Sequence, residues 1–327
     1  MPELPEVENL RRGLVRAIVG QKIKRVEVRR SKIVSGKGNI RPASFKKKRE
    51  FERGLQGEVF SAIERRAKNL IFRFRSNKVL LAHLKMSGQF AYYSGRRGFR
   101  MFSNDKAVNA PRLPDGQGGV RKNAKPAPLI GGHPIELSEH HLPNKHTHII
   151  FQLSRGVLYY NDTRMFGYLL YYPDSQAFEQ ENHFGLFGSE PLSRNFTAKY
   201  LHNSLKNKKG NIKSVLMGQK IVTGLGNIYT DECLFAARIL PYRPASSLSP
   251  RETTKLHKVI VNILRRAIKT GGSSVATYRL LDETRGNYAR EHKVYGKAGE
   301  SCSLCHKPLA KMLIQGRTTV FCSRCQK

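Results

Sequence analysis

The chain has 327 residues, with 59 Lys and Arg against 24 Asp and Glu, a formal net charge of +35. That length exceeds what one hydrophobic core usually serves, and 39% hydrophobic residues, including 16 Phe and 13 Tyr, exclude a wholly disordered basic tail. No apolar run approaches the ~20 residues of a membrane-spanning helix, and the acidic start MPELPEVE lacks a signal-peptide core. The excess charge runs along the whole chain, so it points to a polyanion partner, and to nucleic acid ahead of a membrane surface.

In chain order, Val7, Leu10, Leu14 and Ile18 recur at spacings of three and four and predict a helix over residues 5–19, closed by Gly20. Short β-branched or aromatic segments follow at 22–28, 59–63, 69–75, 79–83 and 89–93, parted by Gly, Ser and Asn turns. Residues 94–145 are rich in Gly, Pro, Asn and Arg without any period, and read as a long basic flexible insertion. Strands resume at 148–153, 157–161 and 168–172. From Ser193 the pattern turns helical, at 197–205, 212–217, 229–237 and 250–270. The last helix opens with Ser249 as N-cap, Pro250 in first place and Glu252 in third. The expected class is α+β: a β-sandwich with a long first helix over 1–183, a helical unit over 190–288, and a cysteine-bearing hairpin over 293–327.

Cys302, Cys305, Cys322 and Cys325 read C-x2-C-x16-C-x2-C, the spacing of a four-thiolate structural zinc site. Two disulfides are the competing reading, disfavoured without a secretion signal. One zinc ion held by four thiolates has no open coordination position, so its part would be to stiffen a hairpin with Gly316 near the apex. Arg317, just past that apex, is either a solvated arginine or a guanidinium projected into a nucleic-acid groove. Cys233 falls on an apolar helix face and reads as core.

Pro2 followed by Glu3 offers a sharper chemistry. If Met1 is removed, Pro2 becomes a secondary amine, and α-amino groups are partly unprotonated near neutral pH. Such an amine attacking a sugar C1′ yields an iminium, which acidifies the neighbouring C2′ proton, with Glu3 placed to protonate the ring oxygen.

The motifs then converge. MPELPEVENLRRGL, ERRAKNL (64–70), HLKMSG (83–88), NDTRMFG (161–167), TGLGNIYTDECLFAARI (223–239) and the cysteine-bearing ends VYGKAGESC and GRTTVFCSRCQK occur in this order along nearly the whole chain. In these segments the sequence resembles the formamidopyrimidine-DNA glycosylases of the Fpg/Nei family, bifunctional base-excision enzymes; only 94–145 has no counterpart. The resemblance implies that 190–288 is a helix-two-turns-helix DNA-binding domain and 293–327 a zinc finger.

It also implies roles. Pro2 would be the nucleophile, Glu3 the proton donor to the deoxyribose, and Glu6 a carboxylate near the active site, although a first-turn Glu also suits the helix dipole. Lys68 would contact DNA beside the lesion and move a proton; alone, it reads equally as a solvated phosphate contact. Met86, Arg164 and Phe166 would fill the gap left by an extruded base; alone, Met86 and Phe166 read as core. The family often carries a second basic residue where Met165 stands. His146, Lys208 and Asn227 would bind DNA, Asn227 at a helix start whose amides suit a phosphate, and Arg317 would grip the phosphates flanking the lesion. The implied partner is damaged duplex DNA, bound by a monomer in the cytoplasm, nucleoid-associated if bacterial, with one structural Zn2+ as cofactor. The implied substrate is an oxidised purine. An endonuclease VIII-like enzyme for oxidised pyrimidines, or a non-catalytic damaged-DNA-binding protein, are the alternatives.

Overall fold

The computed structural model describes residues 1–38, 40–95, 129–132, 142–273 and 287–327. Helix α1 (Leu4–Ile18) begins where the Glu6 carboxylate accepts the Glu3 amide at 2.9 Å, satisfying a donor that has no partner within the helix. Its apolar stripe of Leu4, Val7, Leu10, Leu14 and Ile18 is fully buried, and Gly20, at φ +81°, turns the chain away.

Two antiparallel sheets follow. One has the order β2 (Phe60–Arg66), β3 (Asn69–Phe74), β4 (Val79–His83), β9 (Tyr168–Tyr172). The other has the order β1 (Ile23–Val28), β7 (Thr147–Leu153), β8 (Gly156–Asp162), β5 (Gly88–Ser94), β6 (Leu129–Gly132). They share one core, in which Phe60 and Phe72 of the first sheet meet Phe90 and Tyr160 of the second. Successive ring centroids along that chain lie 6.0, 5.7 and 5.2 Å apart in tilted or edge-on contacts.

The second half has its own core, built by α4 (Ala198–Leu205), α5 (Ile212–Met217), α6 (Asn227–Ala237) and α7 (Pro250–Lys269). Helix α7 carries the expected cap: Ser249 Oγ accepts from the Glu252 amide at 3.2 Å, and Glu252 accepts from the Ser249 amide at 2.8 Å. Helix α6 is buried on nearly every side, Asp231 and Glu232 included, so its polar residues act as internal anchors. A third, smaller core joins Phe235 of α6 to Val294, Leu309 and Val320 around the hairpin β10 (Ala310–Ile314)–β11 (Arg317–Phe321). Its two-residue turn, Gln315-Gly316, has φ +48° and +69°, the left-handed pair that matches the twist of a tight hairpin. No helix among the described residues is long and apolar enough to cross a membrane.

Three features depart from the sequence reading. Helix α2 (Phe45–Leu55) has no counterpart in it, because only Phe51 and Leu55 are buried and the rest of FKKKREFERGL is solvated; Ser44, which caps it at 3.2 Å, was the legible sign. Helix α3 (Ser175–Gln180) is too short to show a period. Residues 129–132, expected to be irregular, form β6 on the edge of β5. The rest of the 94–145 insertion, apart from its two ends, and residues 274–286 lie outside the described residues.

Candidate active site and nucleic-acid interface

The start of α1 runs into the start of α6, and two glycines make that approach possible. Gly224 has φ +85°, and a Cβ there would come 2.6 Å from the Leu4 side chain; a Cβ on Gly226 would come 2.5 Å from the Glu3 carboxyl. With both positions bare, the buried Glu3 carboxylate accepts hydrogen bonds from the amides of Gly226 (2.6 Å), Ile228 (2.9 Å) and Tyr229 (3.3 Å). The helix start read as a phosphate site therefore already holds a carboxylate of the chain itself, for the same electrostatic reason that it would hold a phosphate. Beneath it lies Glu6, buried, accepting from the Tyr229 hydroxyl at 2.6 Å and the Ser273 amide at 2.8 Å. Burial, then the charge of Glu3, push its carboxyl above the ordinary range.

In front of Glu3 opens a cavity of about 620 Å³ between the two halves of the chain. Of the residues singled out from sequence, Glu3, Lys68, Met86, Asn227 and Arg317 line it. Pro2 is buried behind Met1, which stands at the cavity wall. The α-amino group there has its pKa lowered by burial, against the opposing charges of Glu3 and Glu6.

Lys68 departs from the solvated reading. It is buried, its Nζ donates to the Leu225 carbonyl at 2.7 Å, and it makes no ion pair among the described residues. Burial lowers its pKa, the nearby Glu3 charge opposes this, and Arg317 adds to the lowering. His83, not singled out from sequence, lines the same cavity and accepts from the Lys85 amide at 2.9 Å. Burial, then Lys85 and Lys68, push its pKa down to about 3, so it is a neutral wall near physiological pH.

The wedge candidates have a buried support that the sequence reading missed. Asp162, fully buried at the end of β8, accepts from Ser87 Oγ (2.5 Å) and from the amides of Arg164 (3.1 Å) and Gly167 (2.7 Å). It thereby fixes the loop that carries Arg164 and Phe166, whose guanidinium lies 4.7 Å over the ring. Arg164 is exposed, Phe166 half-buried and Met86 39% exposed, so none of the three is ordinary core. His146 stands apart, in a second groove, and Lys208 is exposed just beyond α4; neither lines the cavity.

Arg317 is aimed by a buried network. Lys213 of α5 and Asp231 of α6, both inaccessible to solvent, form an ion pair at 2.6 Å, and Lys213 Nζ also donates to Thr319 Oγ1 at 2.7 Å. Asp231 accepts from the Val320 amide at 3.3 Å, and Asn227 Nδ2 donates to the Thr318 carbonyl at 3.0 Å. The strand bearing Arg317 is thus bolted to the helix that holds Glu3. Glu232 adds a second bolt, accepting from the amides of Lys293, Val294 and Tyr295 at 2.8–3.1 Å.

The four hairpin cysteines bring their Sγ atoms within 4.8 Å of one another, with Cys305 and Cys322 at 3.5 Å and Cys302 and Cys325 at 3.9 Å. Those separations are far beyond the ~2.05 Å of a disulfide and close to the ~3.8 Å edge of a tetrahedron of thiolates around a zinc-sized ion. The residues present fit a metal ion; Cys233 is separate, buried in the helical core.

Comparison with known proteins agrees with this arrangement. Residues 1–169 match the model of the formamidopyrimidine-DNA glycosylase N-terminal domain, and residues 187–279 that of the corresponding H2TH domain. The formamidopyrimidine-DNA glycosylase of Desulfitobacterium hafniense is 32% identical over all of both chains. That of Bacillus subtilis is 34% identical over all of this chain and 99% of its own. Among solved structures, a Lactococcus lactis FPG mutant in complex with a Fapy-dG containing DNA superposes with a TM-score of 0.77 at 32% identity, covering both chains completely. MutM in complex with carbocyclic 8-oxo-G containing DNA gives 0.76 at 32%, again over both chains. On full-length similarity and fold alike, the chain belongs to the formamidopyrimidine-DNA glycosylase family.

Proposed function

We propose that the protein is a bifunctional DNA glycosylase and abasic-site lyase that excises oxidised purines, 8-oxoguanine and formamidopyrimidines, from duplex DNA. The observation that carries this reading is the Glu3 carboxylate held at the start of α6, beside Pro2 and at the wall of a cavity that also contains Lys68. With Met1 removed, the Pro2 nitrogen bonds to C1′ of the damaged nucleotide as the bond from C1′ to the base breaks, the base leaving with that electron pair and a proton. Glu3 protonates the ring oxygen, which opens the sugar and leaves an iminium. Loss of the C2′ proton then expels the 3′ phosphate, and a second elimination expels the 5′ phosphate. Lys68, buried and without an ionic partner among the described residues, moves protons beside the reacting sugar.

Met86, Arg164 and Phe166 occupy the space vacated by the flipped nucleotide and recover part of the few kcal/mol that unstacking costs. Arg317, Asn227, His146 and Lys208 bind the DNA backbone. Cys302, Cys305, Cys322 and Cys325 hold one zinc ion, which supplies no reacting ligand and keeps the hairpin rigid. The protein acts as a monomer on chromosomal DNA in the cytoplasm, through three units at 1–183, 190–288 and 293–327.

Borohydride reduction on a duplex carrying 8-oxoguanine opposite cytosine, with mass analysis of the protein N-terminus, tests the scheme. A covalent adduct on a chain beginning at Pro2 is the expected result. Tight lesion binding by the processed chain without any adduct would remove the catalytic reading, and a stronger adduct on a thymine glycol duplex would move the substrate to oxidised pyrimidines.

A further inference from the structure

A second groove, of about 650 Å³, lies behind the wedge loop, between the turn after β1 and the start of α2. Arg29, Arg30, Lys32, Lys48, Lys145 and His146 line it, and no carboxylate among the described residues does; Glu27 and Glu52 reach Arg29 and Lys48 from outside the lining, at 3.9 and 3.8 Å. The first turn of α2 contains no acidic residue; it carries Phe45, which is 73% exposed, followed by Lys46, Lys47 and Lys48. Cations at the positive end of a helix dipole cost a few tenths of a kcal/mol each, a cost that a polyanion lying across them offsets. The groove is continuous with the proposed DNA site through one loop. Thr163 and Met165 line the groove, while Arg164 and Phe166, which alternate with them, stack on one another as the wedge. A strand whose unpaired base is met by Arg164 is therefore one residue away from the groove.

Building on the glycosylase reading above, we propose that this groove carries the sugar-phosphate backbone of the strand opposite the flipped nucleotide, on the far side of the wedge. It extends the DNA contact from the cavity to the start of α2, with Arg30, Lys32 and Lys48 each facing a phosphate. The partner is duplex DNA, because the basic lining continues directly from the loop that enters the base stack.

The test is the salt dependence of binding to a duplex with an abasic-site analogue, for the wild type and for Arg30→Ser/Lys32→Ser/Lys48→Ser. The slope of log K against log salt is expected to fall by about 0.9 per lost contact, ~3 in all, with affinity about tenfold or more weaker at 0.1 M salt. A charge-keeping variant, Arg30→Lys/Lys32→Arg/Lys48→Arg, is expected to restore the wild-type slope. A second probe removes the complementary strand beyond the base opposite the lesion, on one side or the other. One of the two truncations lowers the wild-type slope to that of the triple variant and leaves the triple variant unchanged. An unaltered slope in the triple variant overturns the proposal, as does an equal loss of affinity on the full and both truncated duplexes, or a charge-keeping variant that binds as weakly as the serine variant. A slope difference that is equally large on undamaged duplex, with no preference for the lesion in either protein, keeps the groove and removes the glycosylase reading.

Discussion

Two lysines of this chain, Lys68 and Lys213, are both buried, and their surroundings set them to opposite uses. Lys213 meets Asp231 at 2.6 Å and Thr319 Oγ1 at 2.7 Å and is fully buried; its charge is spent on holding α5, α6 and the hairpin together. Lys68 has one carbonyl, that of Leu225, and faces the cavity in front of Glu3. A buried cation without an ionic partner costs stability, and a fold that retains one beside a cavity keeps it for something that enters. In the proposed function the same residue type is a bolt in one place and a reagent in the other.

The largest effect expected from this contrast is on turnover. Lys68→Met should lower the excision rate by roughly 10²–10⁴-fold, the range of a positioned acid or base, while the melting temperature stays level or rises because a desolvated charge is gone. Single-turnover kinetics together with thermal unfolding check both halves. A variant that excises normally, or that unfolds readily, would make Lys68 a second bolt.

For Lys213 the expectation is reversed. Lys213→Met leaves Asp231 buried and unpaired, a loss of about 3–5 kcal/mol, and Lys213→Met/Asp231→Leu should recover most of it. Denaturant unfolding of the three proteins measures the cycle. A single variant as stable as the wild type would show that the pair contributes nothing and would erase the contrast with Lys68.

The sequence made part of this legible. The α1 stripe, most strands of both sheets, the α7 cap and the four-cysteine spacing could all be read, because each is a local periodicity or a fixed interval. The motif residues Glu3, Lys68, Met86, Asn227 and Arg317 do meet at one cavity. What could not be read was the state of each group. Lys68 and Lys213 both stand in segments rich in Lys and Arg, and only the tertiary fold takes the one to a cavity wall and the other into a salt bridge. Asp231, Glu232 and Glu190 are illegible for a related reason: a carboxylate whose partners are amides or cations distant in sequence leaves no spacing to detect. Glu190, for instance, accepts from the Ala67 amide at 2.6 Å and pairs with Arg65 at 2.8 Å, more than a hundred residues away. Helix α2 shows no apolar stripe because it buries only Phe51 and Leu55, which leaves the Ser44 cap as its one local sign.

A smaller effect sharpens the Lys68 side of the comparison. Gly226→Ala would bring a Cβ 2.5 Å from the Glu3 carboxyl and force that group off the α6 amides. The overpacking should cost about 1–3 kcal/mol and should lower turnover more than DNA affinity, since in the proposed scheme the displaced Glu3 carboxyl faces the reacting sugar. Equal losses in binding and turnover would mean that the α1–α6 junction supports the fold without aiming Glu3.

The smallest effect comes from a third setting, an ion-pair cluster that water reaches. Burial works against ionisation of Glu8, but hydrogen bonds and charge from Arg11, with help from Arg12 and Arg65, outweigh it and hold its pKa at about 2 against an ordinary 4.5. A carboxyl whose pKa is lower in the folded chain stabilises the fold above pH 4.5, and that contribution fades as the pH falls through 4.5 toward 2. Solvent screening limits it to roughly 1 kcal/mol. Glu8→Gln should therefore be about that much less stable than the wild type at pH 7, with the difference closing near pH 2.5 in urea unfolding. A difference that stays constant across this range would come from packing at the α1–β2 contact, and would put Glu8 with Lys213 as a structural group whose charge is incidental. A difference that closes with acid puts it between the two lysines, a buried carboxylate stabilised by the charge of arginines that are themselves part-exposed.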